Sequence, residues 1–310
     1  MKAIAVHRFG GLEVLSLEEL PEPPLGPDFV LIAARAAGVN PVDWKIREGY
    51  LTGRFPHHTP LILGWDVAGV VAAVGPAVTG FAVGDEVMAY ARKDTVEYGT
   101  YAELVTVVDS AVAHKPAALS FAQAAALPLV GLTALQALEA VGVGKGDRVL
   151  VHGAAGGVGH LAVQIARALG AEEIIGTASP RNHAFVRSLG AIPVRYGAGL
   201  VEEVAALVGD DGRVDAVLDT VGGDTLVQSL RLVRDPARHV SITDAQRVQA
   251  QGGRYVFVRP DGAGLARLAD LAESGALTVE VQQEFPLAQA ADAHRLIQTG
   301  HVRGKLVLSV

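Results

Sequence analysis

The chain has 310 residues, a hydrophobic fraction of 50% and a formal net charge of −7 at pH 7. The length suggests two domains, and the apolar composition excludes an intrinsically disordered chain. The negative charge argues against non-specific electrostatic binding to nucleic acid or acidic membranes. The lack of cysteine excludes disulfides, thiolate metal sites and cysteine nucleophiles.

Residues 1–118 are predicted to form a β-rich domain. The segments 29–39, 66–75 and 102–108 are apolar or alternate in hydropathy, and glycine and proline separate them. No long amphipathic helix is apparent in this zone.

Two charge-free stretches, 67–84 and 116–138, have the length of a membrane span. Glycine, proline or glutamine interrupts both, so neither is predicted to cross a bilayer. The apolar run at the start is too short for a signal peptide. We therefore expect a soluble, cytoplasmic protein.

Residues 119–261 are predicted to alternate between helices and strands. Ser120 and Gln123 have the spacing of a capping box, and Pro128 is expected to end the helix that they begin. Such alternation implies right-handed βαβ units and a parallel, doubly wound sheet. Further helices are predicted at 132–141, 157–169, 180–189 and 201–208, and strands at 148–153, 173–177, 214–219, 238–243 and 254–258.

Residues 262–310 form a third zone, with helical patterns at 263–275 and 287–300 and a closing strand at 305–310. The whole chain is thus predicted to be α/β, with a β-rich domain beside a doubly wound parallel sheet.

The segment 149–159 runs from an apolar strand through four glycines into a helix. Glycine lets the backbone approach a phosphate closely, and the N-terminus of a helix offers unpaired N–H groups to an anion. The pattern predicts a dinucleotide site, and the alternative is a tight turn that binds nothing. The predicted phosphate contacts are Ala155, Gly156, Gly157 and Val158.

The end of the second strand of this domain discriminates between cofactors. NAD sites place an acidic residue there for the ribose 2′-hydroxyl, but residues 174–181 contain no acid. Ser179 and Arg181 are suited to bind a 2′-phosphate instead, with arginine as a forked cationic donor. NADPH is therefore favoured, and the alternative is that Arg181 is only a solvated residue.

Four segments are distinctive: 38–43 (GVNPVD), 64–71 (GWDVAGVV), 154–159 (AAGGVG) and 304–308 (GKLVL). Together they resemble the medium-chain dehydrogenase/reductase superfamily, and the resemblance covers essentially the whole chain. It is closest to the zinc-free quinone oxidoreductase branch, which is similar to zeta-crystallin. It implies a GroES-like catalytic domain built from both chain ends, an inserted Rossmann domain, and NADPH in the cleft between them.

Zinc-dependent members of this superfamily place cysteine, histidine and cysteine where this chain has Asn40, Trp65 and Leu129. These three side chains cannot form a catalytic zinc site, and the four-cysteine structural zinc lobe is also missing from the sequence. We therefore expect no metal.

Asn40, Asp43 and Tyr50 are the predicted catalytic residues, and Tyr50 matches a tyrosine that lies near the substrate or the nicotinamide in similar proteins. Asn40 would donate a hydrogen bond to a carbonyl oxygen, Asp43 would orient Asn40 or the nicotinamide, and the Tyr50 phenol would stabilise an enolate or pass a proton. The alternative for Asn40 and Asp43 is a plain turn after a strand. The resemblance also implies cofactor contacts at Thr133, Tyr196, Val221, Ser241, Ile242 and Lys305. Trp44 is expected to form a wall of the cofactor pocket, and the alternative is an ordinary core aromatic.

The resulting hypothesis is an NADPH-dependent oxidoreductase that transfers a hydride to a quinone or an α,β-unsaturated carbonyl compound without zinc. The alternative is a non-catalytic NADPH-binding protein of structural or regulatory function, as zeta-crystallin relatives allow. The apolar segment 254–258 has no internal proline or lysine, so it predicts a homodimer joined through this sheet edge.

Overall fold

The computed structural model describes residues 1–209 and 211–310 and divides the chain into two compact units. Unit 1 consists of Met1–Leu129, Arg259–Gly275 and Val279–Val310, and unit 2 of Val130–Val258 and Ala276–Thr278. The strands of unit 1 are β1 (Lys2–Val6), β2 (Ser16–Glu19), β3 (Phe29–Val39), β4 (Leu61–Ile62), β5 (Asp66–Val74), β6 (Glu86–Tyr90), β7 (Leu104–Val108), β8 (Val112–His114), β15 (Val281–Pro286) and β16 (Lys305–Ser309). Those of unit 2 are β9 (Arg148–Val151), β10 (Glu173–Ala178), β11 (Ile192–Arg195), β12 (Ala216–Asp219), β13 (His239–Ser241) and β14 (Arg254–Tyr255).

Helices connect these strands and cover the sheets. They are α1 (Pro41–Arg47), α2 (Phe121–Ala126), α3 (Pro128–Ala140), α4 (Gly157–Ala168), α5 (His183–Ser188), α6 (Leu200–Val208), α7 (Asp224–Leu232), α8 (Ala245–Ala250), α9 (Gly262–Glu273) and α10 (Ala290–Ile297). The predicted capping box is present, because the Ser120 hydroxyl accepts from the Gln123 N–H and the Gln123 side chain accepts from the Ser120 N–H.

Unit 1 is built on a seven-stranded sheet with the order β15-β16-β3-β5-β6-β8, in which β7 also pairs with β3, and on a small sheet β2-β1-β4. Along β3, Val30 and Ile32 are fully buried and pack with Val67 of β5 in the apolar core. In the registers of this sheet, Gly38 lies opposite Asp66 and Val39 opposite Leu306. The end of β3 therefore meets the first residues of β5 and β16.

Unit 2 contains a six-stranded, entirely parallel sheet with the order β11-β10-β9-β12-β13-β14. This order is that of a dinucleotide-binding fold, whose ligand lies beyond the carboxyl ends of the strands where the order reverses. Here that point lies between β9 and β12. The predicted combination of a β-rich domain and a doubly wound parallel sheet is confirmed.

Three predicted boundaries differ from the structure. Pro128 begins α3 instead of only ending α2, because proline fits the first turn of a helix, where its missing N–H is not needed. Helix α2 packs on β3 and β5, so it lies in unit 1 and not in the predicted domain 119–261.

The predicted strand 254–258 is the third difference, because β14 ends at Tyr255. The Val256 N–H still donates to Ser241 O at 3.1 Å, but the chain leaves unit 2 after Val258. Across the described parts of the chain, no helix has the length and apolar character of a membrane span.

Candidate active site

A buried polar cluster lies where β3, β5 and β16 meet in unit 1. Asn40 follows β3 and caps α1, Asp66 begins β5, and Lys305 begins β16. Asn40 and Asp66 have no exposed surface, and Lys305 is 3% exposed. Charged groups are placed so deeply only when they are paired and hydrogen-bonded, so the contacts within this cluster decide its chemistry.

The side-chain amide of Asn40 lies between a cation and an anion. Its Nδ2 donates to Asp66 Oδ2 at 2.8 Å, and its Oδ1 accepts from the Lys305 ammonium. Lys305 Nζ also donates to Val39 O at 2.8 Å and lies 3.9 Å from Asp66 Oδ2. Since an ammonium only donates and a carboxylate only accepts, the amide has a single orientation. One hydrogen of Nδ2 is directed at Asp66, and the second is left for another acceptor.

Asp66 and Lys305 each oppose the effect of burial on the pKa of the other. Burial raises the pKa of Asp66 to about 6, against the opposing effects of Lys305, Asn40 and the Leu129 N–H, which donates to Asp66 Oδ1 at 2.8 Å. Burial also lowers the pKa of Lys305, against the effect of the two nearby carboxyl groups. Asp66 and Lys305 therefore hold the amide as a buried ion pair.

Asp43 lies in the first turn of α1 and is also fully buried. Its Oδ2 accepts from the Asn40 N–H at 2.7 Å and from the Tyr101 hydroxyl at 2.9 Å. Its Oδ1 has no hydrogen-bond partner among the described residues. Burial raises the pKa of Asp43 to about 7, although both of these hydrogen bonds and Lys305 oppose the shift. Asp43 thus fixes the main chain of Asn40.

The three positions at which the resemblance places zinc ligands are Asn40, Trp65 and Leu129, which together cannot form a three-ligand zinc site. Asn40 and Leu129 contact Asp66 as described above, and Trp65 is 5% exposed. The Trp65 ring centroid lies 5.9 Å from that of Phe55 and 6.1 Å from that of Tyr90. Among residues 1–209 and 211–310, no group of three or more potential metal ligands occurs.

Unit 2 carries the glycine-rich loop after β9. Gly153 has φ +68°, and a Cβ on Gly159 would lie 2.1 Å from Gly153 O, so the turn into α4 requires glycine at both positions. The N-cap residue Gly156 has no side chain to cap the first N–H groups of α4. The loop carries no acidic side chain. This cradle fits the pyrophosphate of a dinucleotide.

A polar edge follows β10 and β11. Ala178 pairs with Arg195 in the parallel register, so the next residues, Ser179 and Tyr196, leave the sheet side by side. Arg181 is exposed in the turn after Ser179, and Tyr196 is 54% exposed. Arg181 and Arg195 lie at this edge, and residues 178–182 and 193–197 contain no acidic side chain. This composition suits a 2′-phosphate.

Asp219, at the carboxyl end of β12, organises the loop beside the glycine cradle. Burial alone would raise the pKa of Asp219, but its hydrogen bonds outweigh that effect and lower it. Its oxygens accept bonds of 2.7–3.2 Å from the N–H groups of Val221 and Gly222 and from the hydroxyls of Thr225, Ser241 and Thr243. The carboxylate thus holds the predicted cofactor residues Val221 and Ser241, and the main-chain carbonyl of Asp219 accepts from the N–H of the third, Ile242, at 3.1 Å.

Several predicted site residues lie outside the buried cluster. Tyr50 is 70% exposed and packs edge-on against Trp44, with ring centroids 6.1 Å apart. Thr133 is buried in α3 of unit 2. Lys305, predicted as a cofactor contact, uses its ammonium within unit 1, where it holds Asn40. The roles of these residues stay predictions.

Sequence reasoning missed Asp66, Tyr101 and Asp219 as site residues, and also His294, whose Nε2 lies 3.2 Å from the Tyr101 hydroxyl. A signal for two of them was present, because Asp66 and Asp219 are charged residues at the ends of apolar strands, where a buried charge requires a partner. Tyr101 and His294 lie in segments without such a pattern.

Two protein-family models match the chain. The model described as an alcohol dehydrogenase GroES-like domain matches residues 26–117, and that described as a zinc-binding dehydrogenase matches residues 169–308. The second description refers to zinc binding, whereas positions 40, 65 and 129 of this chain carry asparagine, tryptophan and leucine.

Known proteins and solved structures resemble this chain over almost its full length. The NADPH-dependent alkenal/one oxidoreductase of Arabidopsis thaliana chloroplasts is 35% identical over 99% of this chain and 79% of its own. The Coxiella burnetii quinone oxidoreductase has a TM-score of 0.88 and 38% identity, covering 100% and 99% of the two chains. The Escherichia coli quinone oxidoreductase complexed with NADPH has a TM-score of 0.85 and 28% identity, covering 100% of both.

Proposed function

The chain belongs to the medium-chain dehydrogenase/reductase superfamily, and from this premise we propose that it is an NADPH-dependent reductase of quinones or α,β-unsaturated carbonyl compounds. The observation that carries the proposal is the Asn40 amide, held in one orientation by Asp66 and Lys305, in a chain that also carries a cradle for a dinucleotide. The relatives' names agree with this activity, since they include an alkenal/one oxidoreductase and quinone oxidoreductases.

The chain's own residues bind and align the cofactor. The N–H groups at the start of α4 hold the pyrophosphate, with Gly153 and Gly159 giving the backbone the necessary close approach. Ser179 and Arg181 bind the 2′-phosphate, and the loop organised by Asp219 presents Val221. Bound NADPH supplies a hydride.

Asn40 polarises the acceptor. Its second Nδ2 hydrogen donates to the carbonyl oxygen, on which negative charge develops as a hydride adds to the conjugated system. Because the amide has no exposed surface, the acceptor reaches it only when neighbouring side chains move aside; the hydrogen bond then acts away from water and is strengthened accordingly. An enone gains a hydride at its β-carbon and a proton at its α-carbon, and a quinone gains a hydride and a proton to become a hydroquinone.

The choice of NADPH over NADH is expected to depend on Arg181. Arg181→Ala removes a charge-assisted contact to the 2′-phosphate, which NADH lacks, so the Kd for NADPH should rise by about tenfold or more while that for NADH stays the same. Fluorescence titration of the protein with each cofactor measures both constants. Equal affinities for the two cofactors in the unaltered protein would contradict the assignment.

The reaction is expected to need no metal, because Asn40 and not a zinc ion polarises the acceptor. Prolonged chelation followed by gel filtration should leave the rate of NADPH oxidation unchanged. Elemental analysis of the purified protein should find no stoichiometric zinc. A loss of rate that added zinc restores would mean that positions 40, 65 and 129 have been misinterpreted.

We also propose a homodimer and a cytoplasmic location. Strand β14 ends the order of the unit 2 sheet, and Phe257 beyond it is 41% exposed, which supports pairing of this edge with a second copy. The Val256 N–H is directed at β13, so the neighbouring Tyr255 N–H is directed at the outer side. Light scattering should give twice the chain mass for the unaltered protein and a single chain for Tyr255→Pro. A monomeric unaltered protein would contradict the dimer.

The proposed activity is tested by following NADPH oxidation with a panel of quinones, enones and alkenals. We expect turnover with at least one of these classes. Tight NADPH binding without turnover of any acceptor would favour the alternative of a non-catalytic NADPH-binding protein.

A further inference from the structure

A chain of hydrogen-bonded side chains runs from Asp43 to Arg47 within unit 1. The Tyr101 hydroxyl lies 2.9 Å from Asp43 Oδ2 and 3.2 Å from His294 Nε2. On its other side, His294 Nδ1 lies 3.2 Å from Arg47 Nη1. Each of the four residues is no more than 1% exposed. This series of hydrogen bonds connects α10, which carries His294, to α1, which carries Asp43 and Arg47.

The direction of every hydrogen bond in this chain is determined. A guanidinium only donates, so His294 Nδ1 accepts from Arg47 and the ring hydrogen is on Nε2. His294 Nε2 therefore donates to the Tyr101 oxygen, and the Tyr101 hydroxyl must donate to Asp43. Burial, with a further contribution from Arg47, lowers the pKa of His294 to about 3, which keeps the ring neutral.

We propose that Tyr101, His294 and Arg47 are positioning residues for the reduction: they hold the Asp43 carboxylate, which holds the main chain of Asn40. This inference rests on the proposed function. Asp43 Oδ2 accepts only two donors, from Tyr101 and from the Asn40 N–H, and Oδ1 has no partner among the described residues. Loss of the Tyr101 donor therefore leaves Asp43 with a single hydrogen bond.

Arg47 is suited to anchor this chain because it is itself fixed. Its Nε donates to Gly10 O at 3.1 Å, and its Nη2 donates to Glu48 and, at 3.4 Å, to Gln298 Oε1. Gln298 Nε2 in turn donates to Glu48 Oε1 at 3.0 Å. The guanidinium is thus held by Gly10, Glu48 and Gln298 in addition to its contact with His294.

The pKa of Asp43 depends on whether the hydrogen bonds from Tyr101 to Arg47 are intact. The ionisable groups around it are Tyr101, Lys305 of β16 and Asp66 of β5, and beyond Tyr101 lie the neutral His294 and the charged Arg47. Burial and Asp66 raise the pKa of Asp43, and the Tyr101 bond and Lys305 lower it. Removing the Tyr101 hydroxyl should therefore raise the pKa further and weaken the hold on Asn40.

The test is an NMR titration of the Asp43 carboxyl carbon, in protein labelled at aspartate and free of NADPH. In Tyr101→Phe we expect the midpoint to rise by roughly one pH unit. The matched control is Tyr90→Phe, which removes another buried hydroxyl of unit 1 that makes no bond to Asp43, and it should leave the midpoint unchanged. An unchanged midpoint in Tyr101→Phe would overturn the proposal.

A pair of His294 variants separates positioning from mere packing. In His294→Asn the amide oxygen can replace Nδ1 as the acceptor for Arg47, but the donor to Tyr101 is lost. In His294→Gln the amide nitrogen can replace Nε2 as that donor. We expect the midpoint to rise in His294→Asn and to stay near that of the unaltered protein in His294→Gln.

The same variants are then assayed for NADPH oxidation. We expect kcat to fall about tenfold in Tyr101→Phe and in His294→Asn, with the Kd for NADPH nearly unchanged because the residues proposed to hold its phosphates lie in unit 2. Equal loss of kcat in His294→Asn and His294→Gln would overturn the positioning role. Failure of the proposed function is distinguishable, because it would appear as no NADPH oxidation by the unaltered protein while the titration shifts persist.

Discussion

Lys305→Met is expected to lower the free energy of unfolding by about 3–5 kcal/mol at about pH 8. The substitution keeps the length and the apolar stem of the side chain but removes the ammonium from the buried cluster of Asn40, Asp66 and Lys305. Among the residues that the structure describes, the Asp66 carboxylate is then left with the Asn40 amide and the Leu129 N–H as donors. Breaking a buried ion pair by removing one partner leaves an uncompensated charge, which is the costly outcome.

The loss should depend on pH in a defined direction. Burial raises the pKa of Asp66 to about 6 in the folded protein, above its value in the unfolded chain. A carboxyl group of this kind contributes stability below its unfolded pKa, and that contribution is lost as the pH rises through its folded pKa. Without Lys305 the folded pKa is higher still, so the deficit of the variant should shrink as the pH falls from about 8 to about 5.

Chemical denaturation of matched variants measures this effect. Asp66→Asn combined with Lys305→Met removes both charges and should recover most of the lost stability. Lys2→Met, at an exposed lysine of the same unit, should change stability by no more than about 0.5 kcal/mol. A loss in Lys305→Met as small as that in Lys2→Met would show that Lys305 does not neutralise Asp66.

Asn40→Asp is expected to lower kcat by about a hundredfold to a thousandfold. The new side chain has the same shape, but it has no N–H to donate to the acceptor and places a second carboxyl group against Asp66. Removing one preorganised donor from the position where negative charge develops has effects of this size in other enzymes. The Kd for NADPH should change little, because the residues proposed to hold its phosphates lie in unit 2.

Steady-state kinetics and cofactor titration of Asn40→Asp give these two quantities separately. Lowering the pH protonates the extra carboxyl group and can restore a donor, so part of the lost kcat should return in acid. A variant that keeps nearly full kcat would exclude Asn40 as the polarising group, whatever its effect on stability.

The parts of the fold that local patterns encode could be predicted from the sequence. The glycines of residues 149–159 mark the turn into α4, because backbone conformation and close approach require them there, and the Ser120–Gln123 spacing marks the start of α2. The absence of an acid after β10 likewise follows directly from the chain. Such signals lie within about ten residues of the structure that they specify.

The polar cluster of unit 1 could not be predicted in this way. Asn40, Asp66 and Lys305 are distant along the chain, and they meet only because β3 pairs with both β5 and β16 in particular registers. Neither register has a local signal, since a parallel or antiparallel pairing is specified by the packing of whole faces. The same holds for His294, whose role depends on how α10 packs near α1.

The central claim is that the protein transfers a hydride from NADPH to an electrophilic acceptor. It is tested most directly by supplying NADPH deuterated at C4 with an enone or quinone that the protein turns over, and locating the deuterium by mass spectrometry and NMR. For an enone, we predict one deuterium at the β-carbon of the product and a proton from solvent at the α-carbon. A product without deuterium from either C4-deuterated epimer of NADPH, or no product at all, would contradict the account.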